Sequence, residues 1–215
     1  MTWNLEEFRN LCNNHGIPDT KIYQDALYLK SWRANNFGSK ALDVWGHLFS
    51  TSQEIVAGDK EWNETQFNSE SYIEAALQAS HSLADIIAQI INVAILGSHF
   101  TDKADVDIKK VYRELNCRGV VTDITRAVQV LLDSPEYRYI NGFVNTIKHR
   151  NLIYTDFHIE FGVRARNEQG MRFKSFTYNG VEFPITWASD IVNVTIPNLG
   201  NYIIDIGNAV NDYLR

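Results

Sequence analysis

The stretch SESYIEAALQASHSLADIIAQIINVAIL, residues 69–96, decides the fold. Ile73, Leu77, Leu83, Ile86, Ile87, Ile90, Ile91, Val93 and Leu96 recur at helical spacing and leave nearly every direction apolar. A helix that is apolar most of the way round is a buried one. Ser69 reads as its N-cap, Glu70 and Glu74 set negative charge near the positive end of the dipole, and Gly97-Ser98 ends it. At about 1.5 Å per residue the element is about 40 Å long. Its most apolar run, Leu83 to Leu96, is broken by Asp85, Gln89 and Asn92, which leaves it too short and too polar to span a bilayer.

The polar residues of this helix carry the question of function. His81, Asp85, Gln89 and Asn92 are spaced by four, four and three, so they fall on one side. An outward face normally carries lysine or arginine, yet neither occurs from Glu61 to Thr101. Short amides with one histidine and one aspartate fit groups that meet other polar groups. Three readings stay open for the stripe: a face turned to water, a buried or interface network, and a binding or catalytic groove.

Upstream, Leu5, Phe8 and Leu11 form a short amphipathic helix closed by Asn13-Asn14-His15-Gly16. Pro18-Asp19-Thr20 opens a second helix running to Trp32, Asn35-Asn36-Phe37-Gly38-Ser39 is a break, and Ala41 to Val56 is a third helix. Asp59 to Asn68 reads as irregular. Downstream, Ile108, Val111, Tyr112 and Leu115 make a helix that stops near Arg118-Gly119. Thr122-Asp123 caps another, and Ser134-Pro135-Glu136 opens one that runs through His149 to near Tyr154. The period then changes to two. Phe157, Ile159, Phe161 and Val163 alternate with polar residues, Asn167 to Gly170 turns the chain, and Met171 to Tyr178 is a second strand. Asn179-Gly180 is a hairpin signal that returns Val181 to Phe183, which predicts a three-strand antiparallel meander. Residues 184–197 stay open, and Leu199 to Leu214 is helical again. With no repeat and no linker, the chain reads as a single domain over 1–215: a helical bundle to 155, a β-meander appendage at 156–185 and a C-terminal helix at 198–215.

Composition bounds the partners. The chain is 45% hydrophobic and 21% charged, an ordinary globular balance that excludes disorder. A net charge of -6 argues against gripping nucleic acid by total charge, although Lys148, His149, Arg150, Arg164, Arg166, Arg172 and Lys174 make the region after 148 locally basic. The N-terminus has no signal-peptide pattern, and Cys12 and Cys117 sit in no metal-like spacing, so a cytoplasmic protein with reduced thiols and no membrane partner is expected. There is no phosphate-binding glycine loop, no Gly-x-Ser-x-Gly and no Cys–His pairing, hence no expected cofactor. His81 and Asp85 have a spacing that suits two metal ligands, with His149 as a third, but His-x-x-x-Asp alone is too common to carry a metal site. Asp43, His47, Ser50 and Glu54 share the side opposite a clear core face and read as solvated, as do Asp156 and Glu160 on the first strand.

A counterpart to the stripe lies on the helix opened by Pro135. Asn141, Asn145 and His149 follow at spacings of four, with Lys148 beside them. Two polar ridges are expected to close on each other, with their hydrogen bonds satisfied where buried. Val144-Asn145-Thr146-Ile147-Lys148-His149, late on a helix and downstream of a long one, resembles the signature region of the HEPN superfamily. These are small helical bundles, often dimeric, of prokaryotic toxin, defence and RNA-processing systems. Active members carry the pattern Arg-Asn-x-x-x-His. Asn145 and His149 match its second and third residues, Val144 stands in the arginine slot, and the resemblance covers residues 70–155.

The resemblance implies a mainly α, HEPN-like antiparallel helical bundle, here with a C-terminal antiparallel β-meander and a final helix. It also implies a homodimer and an RNA or protein partner. In metal-independent RNA cleavage a base takes the proton of a 2′-hydroxyl, a task that suits His149 with Asn145 positioning it. A cation must stabilise the phosphate charge, and arginine does so through its planar fork. Val144 leaves that task without an owner, Lys148 and Arg150 being the nearest cations in sequence. Three functions follow as expectations: a non-catalytic HEPN-like protein acting through protein or RNA contacts, an endoribonuclease using His149, or a structural protein with a buried polar network.

Overall fold

The computed structural model describes residues 2–18, 20–52, 54–102, 106–119, 122–149, 152–160 and 168–215. Its helices are α1 (Leu5–Asn14), α2 (Lys21–Thr51), α3 (Lys60–Ala94), α4 (Ile108–Arg118), α5 (Thr122–Asp133), α6 (Pro135–His149), α7 (Ala188–Asp190) and α8 (Ile196–Leu214), with a π-helical segment, Ile191–Thr195, between the last two. The strands are β1 (Thr155–Glu160), β2 (Glu168–Phe173), β3 (Phe176–Tyr178), β4 (Val181–Phe183) and β5 (Thr186–Trp187). The chain is mainly helical, with a small antiparallel β region near the C-terminus followed by helix, as its periodicity predicts. No helix among the described residues is long and apolar enough to cross a membrane.

The deciding helix starts earlier than its apolar pattern predicts. Asp59 caps α3 by accepting from the Trp62 N–H at 2.7 Å. Ser69 is therefore not a cap. It lies inside the helix, fully buried, and its hydroxyl donates to the Ala41 carbonyl at 2.8 Å. Positions 62, 65 and 69 continue the inward face of Ile73 and Leu77 at helical spacing, but tryptophan, threonine and serine occupy them, so the hydrophobic signal fades while the helix does not. Glu70 and Glu74 consequently stand in mid-helix, beyond the first turn where the dipole acts.

The predicted break at Asn35–Ser39 is also absent, since α2 runs unbroken from Lys21 to Thr51. A Cβ at Gly38 would lie 3.2 Å from a Val192 methyl, so the glycine serves close packing rather than termination. Without a proline, asparagine and glycine cost a helix only about 1 kcal/mol or less each, which packing outweighs. At its other end α6 is described as far as His149, and residues 152–154 are not helical.

The β region forms two sheets instead of one meander. β2 pairs antiparallel with β1 (Phe157 opposite Met171) and with β5 (Phe173 opposite Thr186), while β3 and β4 form a separate hairpin. The predicted second strand is split between Phe173 and Phe176, and the open stretch 184–197 supplies β5, α7 and the π-helical segment. Glu168–Gly170 belong to β2 rather than to a turn, whereas Asn167 and the strand end 161–163 lie outside the described residues. The Asn179-Gly180 hairpin is as expected. Both residues have positive φ (50° and 78°), as the two-residue turn that matches strand twist requires.

Chain contacts divide the molecule into two units: Met1–Trp32 with Ala79–Arg138 and Asn198–Arg215, and Arg33–Gln78 with Tyr139–Pro197. The first unit buries Phe8, Leu83, Ile87, Ile91, Val111, Leu115, Ile124, Leu131, Leu199 and Ile206. Its chain ends are tied together, with Trp3 donating from its indole to Asn211 at 3.1 Å and Asn211 donating to the Asn4 carbonyl at 3.1 Å. The second unit buries Trp45, Ile73, Leu77, Ile140, Phe143, Val144, Met171, Phe173 and Ile191. In it Phe176 stacks on Phe183 at 4.8 Å, and a Cβ at Gly142 would stand 2.8 Å from the Phe183 ring. Gly142→Ala is thus expected to destabilise the protein by about 1–3 kcal/mol through overpacking, read as a lower urea midpoint with an unchanged m-value.

Candidate functional site

One face of α6 sets the geometry of the site. Ile140, Phe143 and Val144 are all 0% exposed, which fixes the rotation of the helix about its axis. Asn141 and Asn145 are then half-buried, and Lys148 and His149 are exposed. The Asn145 amide donates to the Asn141 carbonyl at 2.8 Å and to the Asn141 side-chain oxygen at 3.1 Å, so its N–H groups serve its own helix one turn back. Val144, the residue before Asn145, lies in the core. Arg150 is outside the described residues.

The stripe on α3 belongs to the first unit, and the α6 row belongs to the second. His81, Asp85 and Gln89 are half-buried and each is engaged in an interaction, so none stands free. Asn92 is buried and bonded reciprocally to Phe100. Its amide donates to the Phe100 carbonyl at 3.0 Å, and its oxygen accepts from the Phe100 N–H at 3.0 Å. These two bonds close the loop after α3 and satisfy a backbone pair that the turn would otherwise orphan. Among the described residues no three His, Cys, Asp or Glu side chains gather in a metal-binding group.

Within the second unit a cleft of about 810 Å³ opens beside α6, lined by Thr146, Leu152, Ile153, Tyr154, Lys174, Ser175, Phe176 and Thr177. Tyr154 is 74% exposed and turns an aromatic ring to solvent. The Thr146 hydroxyl donates to the Gly142 carbonyl at 2.8 Å and is spent on its own helix. His149 stands three residues after Thr146, hence on the same side of α6 one turn further along. The Lys174 N–H donates to the Tyr154 carbonyl at 2.8 Å, joining the two lips of the cleft through the backbone. Sequence reasoning noted Lys174 only as part of a basic region and placed Tyr154 at a helix end. The usable signal was the Lys174-Ser175 interruption of an otherwise alternating strand.

Charge on this side is organised by Asp156. It accepts from Arg172 at 3.2 Å and from Lys174, and Arg172 also lies over the Trp187 ring at 5.3 Å, with His158 near the same ring at 5.9 Å. Burial pushes the Asp156 carboxyl up, but the hydrogen bonds and charges of Lys174 and Arg172 outweigh it and leave its pKa below the ordinary value. Glu74 on α3 shows the reverse. Burial and the neighbouring Glu70 carboxylate raise its pKa. Glu70 itself accepts from Gln66 at 3.0 Å and from the Thr155 hydroxyl.

In comparisons with known proteins, no family model, curated protein or solved structure matches the chain. What the site does therefore rests on its own chemistry.

The two carboxylates predict opposite pH behaviour. The folded pKa of Asp156 lies below its unfolded value, so its stabilisation is complete above the ordinary carboxylate range and is lost as pH falls through the folded pKa. Glu74 has a raised folded pKa, so its favourable contribution holds at low pH and disappears as pH rises through that pKa. Urea midpoints measured from pH 7 to pH 3 are expected to show Asp156→Asn with a shallower acid loss than the native chain. Glu74→Gln is expected to be more stable than the native chain at pH 7 and indistinguishable from it at pH 3.

Proposed function

We propose that the protein is a non-catalytic, HEPN-like helical protein that acts by holding single-stranded RNA in the cleft beside α6. The observation that carries the first half is the burial of Val144. Cleavage without a metal needs a cation at the phosphate, and the position that supplies it in active HEPN proteins points into the core at 0% exposure. Asn145, which would position the histidine, spends its N–H groups on Asn141. His149 is exposed but has neither of these helpers.

The second half rests on what lines the cleft. A single strand is held by rings on which bases stack and by cations and hydroxyls along its backbone, each stacked base being worth about 1–3 kcal/mol. Tyr154 offers an open ring, Lys174 a cation, Ser175 and Thr177 hydroxyls, with Lys148 and His149 beyond them at the end of α6. Lys174 is shared with Asp156, which places the burden of affinity on stacking more than on charge. A homodimer belongs to the same reading, as a consequence of the HEPN resemblance, and a cytoplasmic setting goes with the two free thiols of Cys12 and Cys117.

The native protein and His149→Ala, incubated with mixed RNA in EDTA, are both expected to leave the RNA intact. Labelled oligoadenylate is expected to bind the native chain by fluorescence anisotropy, about tenfold more weakly in Tyr154→Ala and less steeply with salt in Lys174→Gln. Cleavage by the native chain that His149→Ala abolishes would overturn the non-catalytic reading in favour of the ribonuclease. Absence of binding, beside co-elution with a protein, would replace RNA by a protein partner.

A further inference from the structure

A glycine inside a helix costs about 1 kcal/mol against alanine, so each one needs a reason. The helices of the second unit hold three: Gly38, Gly46 and Gly142. Two are explained by close approach, since an added Cβ would press on Val192 at 3.2 Å or on Phe183 at 2.8 Å. At Gly46 an added Cβ would meet nothing within 4 Å, so packing does not require glycine there. Gly46 stands instead on the exposed rim of a pocket of about 280 Å³ walled by the rings of Trp45, Phe49 and Phe157 and by Met171.

We propose that this pocket binds a small, planar, uncharged aromatic molecule of one or two fused rings, and that Gly46 leaves the ring faces uncovered for it. The wall rings already pack on one another, with Trp45 and Phe157 at 4.5 Å and Phe49 and Phe157 at 5.6 Å, so the pocket offers a ring surface rather than a cage. Such a surface suits a flat π-system in offset or edge contact. Among the described residues no charged side chain lines the pocket, and a charged guest would lose its hydration without gaining a partner from them. Among the described residues its polar side chains are Gln169 and Ser189, enough to orient the edge of a ring but not to hold a strongly polar molecule. The volume, at the low end for ligand sites, sets the size. This inference does not depend on the RNA reading, because the pocket and the cleft beside α6 share no lining residue.

The full chain is titrated at pH 7 with indole, quinoline and, as a non-planar control, cyclohexanol, with melting temperature and calorimetry as readouts. Indole and quinoline are expected to raise Tm while cyclohexanol does not. Gly46→Leu, which overhangs the pocket, is expected to melt no lower than the native chain without ligand and to bind both rings at least about tenfold more weakly. If Gly46→Leu fails to fold, Gly46→Ala takes its place, with a smaller loss of ring binding expected. Oligoadenylate separates the sources of the ring: parallel loss of its affinity in the Gly46 variant identifies a base of a strand, and unchanged affinity identifies a free small molecule. No Tm rise with either ring, an equal rise with cyclohexanol, or undiminished ring binding in the Gly46 variant would overturn the proposal.

Discussion

The inward face of α6 is the constraint on which the functional reading depends. Ile140, Phe143 and Val144 have no exposed surface, and a helix held by three such residues cannot turn about its axis without opening the core. Everything else on α6 follows from that rotation. Gly142 admits the Phe183 ring, Thr146 meets the cleft, Asn141 and Asn145 sit half-buried, and Lys148 and His149 reach the surface. A histidine delivered to the surface while its neighbouring slot is delivered to the core is a poor start for phosphate chemistry.

The second unit also shows how one kind of side chain takes opposite roles. Asp156 is paid in hydrogen bonds from Arg172 and Lys174, which tie β1 to β2 and to the lip of the cleft. Glu74 is half-buried near another carboxylate and holds its charge at a cost. The first anchors the framework beside the cleft at neutral pH, and the second weakens the unit at the same pH. In the first unit the same accounting explains Asn92, whose buried amide is satisfied by the backbone of Phe100.

How much of this was legible in the sequence depended on how each element announces itself. The start of α6 carries a cap whose chemistry is local, and Ser134 accepts the Tyr137 N–H as its position demands. The Asn179-Gly180 turn was equally local. Misreadings arose where packing at a distance decided the outcome. Thr65 and Ser69 are buried polar residues that hide the first turns of α3, and Gly38 resembles a helix end until Val192 is seen against it. β5 pairs with β2 from beyond a hairpin, which no periodicity reveals. Asn141, Asn145 and His149 were visible by spacing, but the partner of Asn145 turned out to be Asn141. Beyond the Lys174-Ser175 interruption the cleft left no mark in the sequence, because it joins Thr146 to residues 152–154 and 174–177 by tertiary contact.

Placing an arginine at residue 144, where the proposed HEPN reading would require one, tests the central claim most directly. If Val144 faces the core, Val144→Arg buries an unpaired cation at a cost of several kcal/mol, and the protein should lose its cooperative thermal transition and gain no ribonuclease activity. A Val144→Arg protein that melts like the native chain and cleaves RNA in EDTA would contradict the account, placing residue 144 at a working active site.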